Sequence, residues 1–290
     1  MRGVVTFLAL LAACVLVPVT VATTWLRSDV VATTGYVDTV APLATDAAVV
    51  RAVEDRLVAS TVRQLATWPR WEDVPAAVRT RARDLASAAV VKIVEDPAFA
   101  DTWEAANRVT HRELVGVLSG TSESVSIGPG STVEISLAPL TDEIRQELVA
   151  GGVPFAQELP RLRAGLPIGT VADLSRAQRA YSVLERWGPV LPFVTLGLLV
   201  LGLVLARRRV RAVALTALGS AVGIGALGAG LYVARTAYLD AVPRSVPQDA
   251  ATAFFDAVTE GLRRDIGLVG IAAVAVFAVA TIASAVSPSH

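Results

Sequence analysis

Three residues of this chain have types and spacing that could do chemistry: Trp103, Asn107 and His111, each four positions after the last. On a helix that spacing stacks side chains on successive turns of one face. An imidazole beside a carboxamide can contact a ligand or act as a pH-sensitive switch, since histidine is the side chain whose charge changes near neutrality. The competing role is structural. Asn107 and His111 would then be a half-buried pair hydrogen-bonded to a neighbouring loop or strand, at the edge of an apolar stripe that holds Trp103, and that is the role we expect.

No other group of residues forms a recognisable reactive set. The chain has two histidines, His111 and His290, and one cysteine, Cys14, too few on one face for a zinc site of His and Cys. A Ser-His-Asp triad could use only His111. There is no D-x-D-x-D-G calcium loop, no G-x-x-x-x-G-K phosphate loop and no H-E-x-x-H. Gly219-Ser220-Ala221-Val222-Gly223 puts its serine one position early for a nucleophile elbow. It reads instead as G-x-x-x-G, extended by Ala226 and Gly230 into a small-residue face that lets helices approach closely, within the chain or across a dimer. We therefore expect no catalytic residue, cofactor or metal.

The elements that must position these groups are dominated by four apolar stretches, none interrupted by a charge. They cover residues 3–26, 188–206, 212–234 and 266–286, and their 24, 19, 23 and 21 residues match the roughly 20 needed to cross the hydrocarbon core. The lipid bilayer is thus the first expected partner. Lys and Arg collect in short cytoplasmic loops, and Arg207, Arg208, Arg209 and Arg211 crowd the turn at 207–211. The expected protein is therefore a multi-pass protein of the cell membrane. Its map is an N-terminal anchor (1–26), an extracytoplasmic domain (27–187), three further spans (188–206, 212–234, 266–286), a cytoplasmic arginine turn (207–211), an extracytoplasmic loop (235–265) and a cytoplasmic tail (287–290). The loop carries Arg235, Arg244, Arg263 and Arg264, but disperses them among five acidic residues. Leu11-Ala12-Ala13-Cys14 matches the lipobox that precedes a lipidated cysteine. The apolar run continues well past Cys14, however, beyond the 7 to 15 residues or so of a signal h-region, so a retained anchor is expected.

Between the first two stretches the pattern reads as α+β, mainly helical with a β-hairpin. Helical spacing joins Val49, Val50, Val53 and Leu57, and, after a Trp68-Pro69-Arg70-Trp71 break, Val78, Ala82, Leu85, Ala89 and Ile93. A third helix starts at Asp96-Pro97, lines Phe99, Trp103, Ala106, Thr110, Leu114 and Val117 along one face, and ends at Gly120. Alternation then predicts strands around Val125–Ile127 and Val133–Leu137, joined by a Gly128-Pro129-Gly130 turn. Thr141 can cap a short helix ending at Gly151-Gly152, and residues 166–171 can add a strand that Pro167 confines to a sheet edge. A last helix carries Leu174, Ala177, Tyr181 and Leu184. In the loop 235–265, Ala251, Phe254, Phe255, Val258 and Leu262 mark an amphipathic helix. The region 27–187 carries 17 basic and 21 acidic residues, which argues against a nucleic-acid partner. The predominance of Arg over the single Lys92 suggests high-GC codon usage, typical of actinobacteria.

Tyr36-Val37-Asp38-Thr39-Val40-Ala41-Pro42-Leu43-Ala44-Thr45-Asp46 resembles a Y-V-x-T-V-x-P-L-A-x-D segment of uncharacterised actinobacterial multi-pass integral membrane proteins. Phe99, Trp103, Ala106, Asn107, Arg108, His111, Leu114 and Val115 resemble a second segment of that group, F-x(3)-W-x(2)-A-N-R-x(2)-H-x(2)-L-V. The resemblance implies an amino-terminal anchor and several carboxy-terminal spans, and it implies no activity. The expected function is a non-enzymatic envelope protein whose extracytoplasmic domain binds a ligand, a membrane or envelope protein, or a second copy of the chain. A transport or channel accessory component would need a hydrated path, yet the spans lack the charged groups usual at membrane depth. An envelope enzyme would need titratable groups converging on His111.

Overall fold

The computed structural model describes residues 2–66, 73–122, 125–127, 132–136, 146 and 165–286. The expected break at Trp68–Trp71, the turn at Gly128–Gly130, the short helix from Thr141 and the tail 287–290 lie outside them. Helix α1 (Arg2–Trp25) runs into a π-helical segment, Leu26–Val31, and then α2 (Thr33–Val40) and a 3-10 turn, Ala41–Thr45. There follow α3 (Ala47–Ala66), α4 (Ala76–Val94) and α5 (Ala98–Ser119). Three short strands, β1 (Val125–Ile127), β2 (Thr132–Ser136) and β3 (Gly165–Thr170), pair antiparallel in that order. The chain ends with α6 (Val171–Trp187), α7 (Leu191–Leu205), α8 (Arg209–Ala241) and α9 (Gln248–Val286).

This corrects the expected class in two respects. The expectation was four transmembrane helices plus an extracytoplasmic α+β domain with a β-hairpin. By length and composition, however, three helical stretches can each cross a membrane, at Gly3–Val31, Arg209–Ala241 and Gln248–Ser284. The expected span at 188–206 is only the 15-residue α7, about 22 Å at 1.5 Å per residue against a core of roughly 30 Å. It reaches spanning length only with α6, from which it is bent by 51°. The second correction concerns the α+β domain. Apart from those strands, 14 residues in all, the described elements are helices, and the buried cluster is built by helical segments alone: Val40, Leu43, Val49 and Ala250, with Tyr36, Trp103, Phe254 and Val258 packed against it.

That cluster also departs from the expected separation of domain and loop. Ala250 and Phe254 belong to α9, which continues without interruption into the apolar stretch at 266–286. The amphipathic helix and the last span are one helix of 39 residues, and the connection from α8 is reduced to 242–247, bracketed by Pro243 and Pro247. Such a helix is about 58 Å long, far more than a bilayer needs, and its first turns carry the core of the region 27–119. The expected stripes shift too. In α4 the buried positions are Val90 and Val94, whereas Val78, Leu85 and Ile93 are exposed; in α5 Leu114 is exposed and Val109, His111 and Val117 are buried.

The apolar helices pack through small residues and hydroxyls. α1 lies against both α7 and α8. Thr195 donates to the Leu191 carbonyl at 2.8 Å, so its oxygen is free to accept from Thr20 of α1, also at 2.8 Å. The π-helical segment is enclosed by three glycines from three elements. A methyl group added at Gly35 of α2 would collide with the Ser28 carbonyl, at Gly188 with the Arg27 side chain, and at Gly261 of α9 with the Asp29 carboxylate. Trp25 completes the junction, its Nε1–H donating to the Val258 carbonyl of α9 at 3.1 Å.

These contacts make the three glycines unequal. Gly35→Ala meets backbone that cannot step aside and should cost about 1–3 kcal/mol, the range for overpacking. Gly261→Ala meets the end of a side chain and should cost well under 1 kcal/mol. Thermal unfolding of both variants in detergent checks the ranking; equal losses would place the tight contact elsewhere.

Candidate functional site

Trp103, Asn107 and His111 all lie on α5, a helix fixed at both ends. The Asp96 carboxylate accepts from the Ala98 N–H at 2.9 Å, as a side-chain cap does. Gly120 closes the other end with φ of 76°, a left-handed conformation that glycine adopts without strain. Gln178 of α6 adds a donor there, bonding the Val117 carbonyl at 2.8 Å.

His111 is 5 % exposed and held on three sides. Its Nε2 lies 2.8 Å from the Val30 carbonyl, in the last turn of the π-helical segment, and its Nδ1 lies 3.2 Å from Thr33 Oγ1, in the first turn of α2. A carbonyl only accepts, so Nε2 carries the proton, and Nδ1 of the neutral ring accepts from the threonine hydroxyl. The Tyr36 ring stacks on the imidazole with centroids 4.2 Å apart and planes inclined by 17°. Burial pushes the His111 pKa below its ordinary 6.5, with the bond to Val30 acting in the opposite direction. Burial also raises the pKa of the Tyr36 phenol.

The side chains of the expected trio turn to different partners. Asn107 turns back along its own helix and donates to the Trp103 carbonyl at 2.8 Å, so it bonds neither a loop nor a strand and does not pair with His111. Trp103 Nε1–H donates to the Val40 carbonyl at 2.9 Å, at the junction of α2 and the 3-10 turn. Trp103 and His111 are thus parallel tethers, two turns apart on α5, joining it to carbonyls at successive breaks in the chain. The two segments quoted for the resemblance face each other here, Tyr36 on His111 and Val40 on Trp103. Nothing in the spacing of Thr33 and Tyr36 pairs them with a histidine 78 and 75 residues on, so sequence reasoning missed these partners.

The small-residue face divides. A methyl at Gly219 would lie 2.7 Å from Cys14 Sγ, and one at Gly223 3.1 Å from Pro18 Cγ, so both positions seat α8 against α1. Ala226 lines the same groove. Gly230 meets nothing within 4 Å. Among the described residues no three His, Cys, Asp or Glu side chains are grouped so as to hold a metal ion. With both ring nitrogens engaged, His111 braces α5 against the π-helical segment and the first turn of α2.

The sign of the pH effect follows. The unfolded chain binds a proton with the ordinary pKa near 6.5 and the folded chain with a lower one, so the unfolded state takes up more protons as pH falls below about 6.5. The stability His111 confers is full above that pH and is lost on going below it. Melting temperature should rise from pH 5 to about 6.5 and level off by pH 7, and His111→Gln should flatten the rise; an equal rise in that variant would assign it to other groups. Trp103→Phe keeps a ring and removes the donor to Val40, and should cost about 1–3 kcal/mol against about 3–5 for Trp103→Ala, read from the same melts.

In comparisons with protein-family models, curated proteins and solved structures, the chain matches none, so its site is read from its own geometry.

Proposed function

We propose that the chain is an integral protein of a cell-envelope membrane that works by docking, with both termini and the 207–211 turn in the cytoplasm and 27–187 outside. The observation that carries this reading is the uncovered face of α4, where Val78, Leu85 and Ile93 are 54, 57 and 55 % exposed. They form an apolar stripe outside every stretch that could span a membrane. An exposed stripe of this kind marks an interaction surface. The occupant we assign is a second copy of the chain. The stripe is close to symmetric about Leu85, so an antiparallel two-fold pairing places Leu85 on Leu85 and Val78 on the partner's Ile93, the self-complementary arrangement that a two-fold dimer requires.

Charge pairing supports the orientation. Arg235 and Arg263 both bond Asp256, Arg264 pairs with Glu260, and Asp249 pairs with Arg51 of α3. Arginines beyond the α8 apolar stretch are thus largely partnered, whereas those at 207–211 form no ion pair among the described residues. A dense run of arginines in a short turn is what holds a loop in the cytoplasm, and the 242–247 connection holds Arg244 alone. The resemblance to actinobacterial multi-pass membrane proteins belongs to the same proposal, supported by the contact between the two quoted segments.

Two measurements test it. In a Cys14→Ala background, Leu85→Cys should form a disulfide-linked dimer in oxidised native membranes, and Val78→Cys should link to a co-expressed Ile93→Cys chain more readily than to itself; absence of both products would overturn self-pairing. In the same background Ser245→Cys should react with a membrane-impermeant thiol reagent on intact cells and Arg209→Cys should not. The reverse pattern would invert the topology.

A further inference from the structure

Where α7 turns into α8, a groove of about 730 Å3 opens between that turn and the first half of α1. Arg207, Arg208 and Arg211 stand at its mouth and Thr216 on its wall, and no acidic residue lines it. It shares Leu11, Cys14, Leu215 and Gly219 with a second groove of about 870 Å3, which runs on between α1 and α8 past Pro18, Val222 and Ala226 with almost wholly apolar walls. The two together describe a cationic mouth that leads into an apolar channel along a transmembrane helix pair.

Thr216 adds an unmatched polar group to the groove wall. It is 7 % exposed, and its hydroxyl is buried with no hydrogen-bond partner. Helical threonines normally return their hydroxyl to the carbonyl four residues earlier. Thr195, Thr236, Thr259 and Thr281 all do so here. Thr216 departs from that habit and leaves an unmatched, buried donor beside a groove rimmed by arginine. A buried hydroxyl without a partner costs free energy, which an acceptor in the groove recovers once the side chain turns its hydroxyl toward the wall.

We propose that this groove binds a glycerophospholipid with an anionic headgroup. The phosphate sits among Arg207, Arg208 and Arg211. Thr216 lies five residues beyond Arg211, about 7.5 Å deeper along α8, at the level of the glycerol backbone, and donates to an acyl-ester carbonyl. One acyl chain follows the α1–α8 groove past Val15, Val19, Leu218 and Val222, alongside the seam where Gly219 and Gly223 seat α8 on α1. A basic pocket between transmembrane helices at a membrane surface is the setting in which such headgroups are held. The ester acceptor separates this site from a surface that attracts any anion.

The test uses the full-length chain in a neutral detergent, titrated by native mass spectrometry with dioleoyl phosphatidylglycerol, dioleoyl phosphatidylcholine, the diether analogue of the phosphatidylglycerol and inorganic phosphate. Diacyl phosphatidylglycerol should bind in preference to phosphatidylcholine and to the diether. Changing Arg207, Arg208 and Arg211 to Gln should weaken it by about fivefold per arginine, the equivalent of about 1 kcal/mol for each basic residue near a surface. Thr216→Val should erase the preference for the diester over the diether while raising the lipid-free melting temperature, since it removes a buried hydroxyl that bonds nothing in the protein. Equal binding of phosphatidylcholine would overturn the proposal in favour of non-selective lipid contact. Phosphate competing as well as the lipid would reduce the site to one for free anions. A diester preference that survives Thr216→Val would refute the placement of the glycerol.

Discussion

The structure depends on one short departure from regular helix, the π-helical segment at Leu26–Val31. A π turn is rare because it opens the backbone hydrogen bonds beyond their best geometry, and it persists where surrounding contacts over-determine it. Here three consecutive residues, Arg27, Ser28 and Asp29, nest against glycines from the α6–α7 junction, α2 and α9, while Trp25 and Val30 on either side bond α9 and α5. The apolar helix and the region beyond it are therefore locked at one turn. Helices far apart in the chain meet there because each supplies either a missing side chain or a ring N–H.

This arrangement gives the polar groups of α5 their meaning. Trp103 and His111 satisfy carbonyls at the two places where the chain after α1 changes its helical character, and each bond is buried or half-buried, where an unmade hydrogen bond is costly. The ion pairs contribute far less. Arg235, Asp256 and Arg263 are all more than a third exposed, and exposed pairs are typically worth between about 0 and 1 kcal/mol. The Arg235–Asp256 pair joins α8 to α9 near the short connection, and Arg263 holds Asp256 from within α9.

Much of the membrane part was legible in the sequence, because a charge-free apolar run records the bilayer directly. What hydropathy cannot record is where a helix stops. α8 and α9 pass through Arg235, Asp256 and Arg263 without ending, and the residues that do interrupt them are Pro243 and Pro247. The span at 188–206 misled for a related reason: its composition suits lipid, but Gly188 and Pro189 set the helix start at Leu191 and leave it short. Periodicity placed α4 and α5 as helices and then chose the wrong stripes. Val78, Leu85 and Ile93 look like core by spacing, and only the position of the neighbouring helices shows that Val90 and Val94 face inward. The role of His111 was half visible. Its helix and spacing could be read, whereas its partners at Val30, Thr33 and Tyr36 depend on the chain folding back at the π turn, which no local pattern announces.

The unbroken course of α9 has a mechanical meaning. One end of this helix carries Ala250 and Phe254 into the core of the region between the first two apolar segments, and the other is apolar enough to lie in lipid. No proline within its 39 residues provides a hinge, so it works as a crankshaft. Any twist applied to the membrane half arrives at Phe254 as the same angle, and a single inserted residue between the two ends would turn that face by about 100°. The lipid-facing and core-facing surfaces are held in a fixed phase, and a change in how the helix sits among its neighbours in the bilayer becomes a torque on the folded region that it supports.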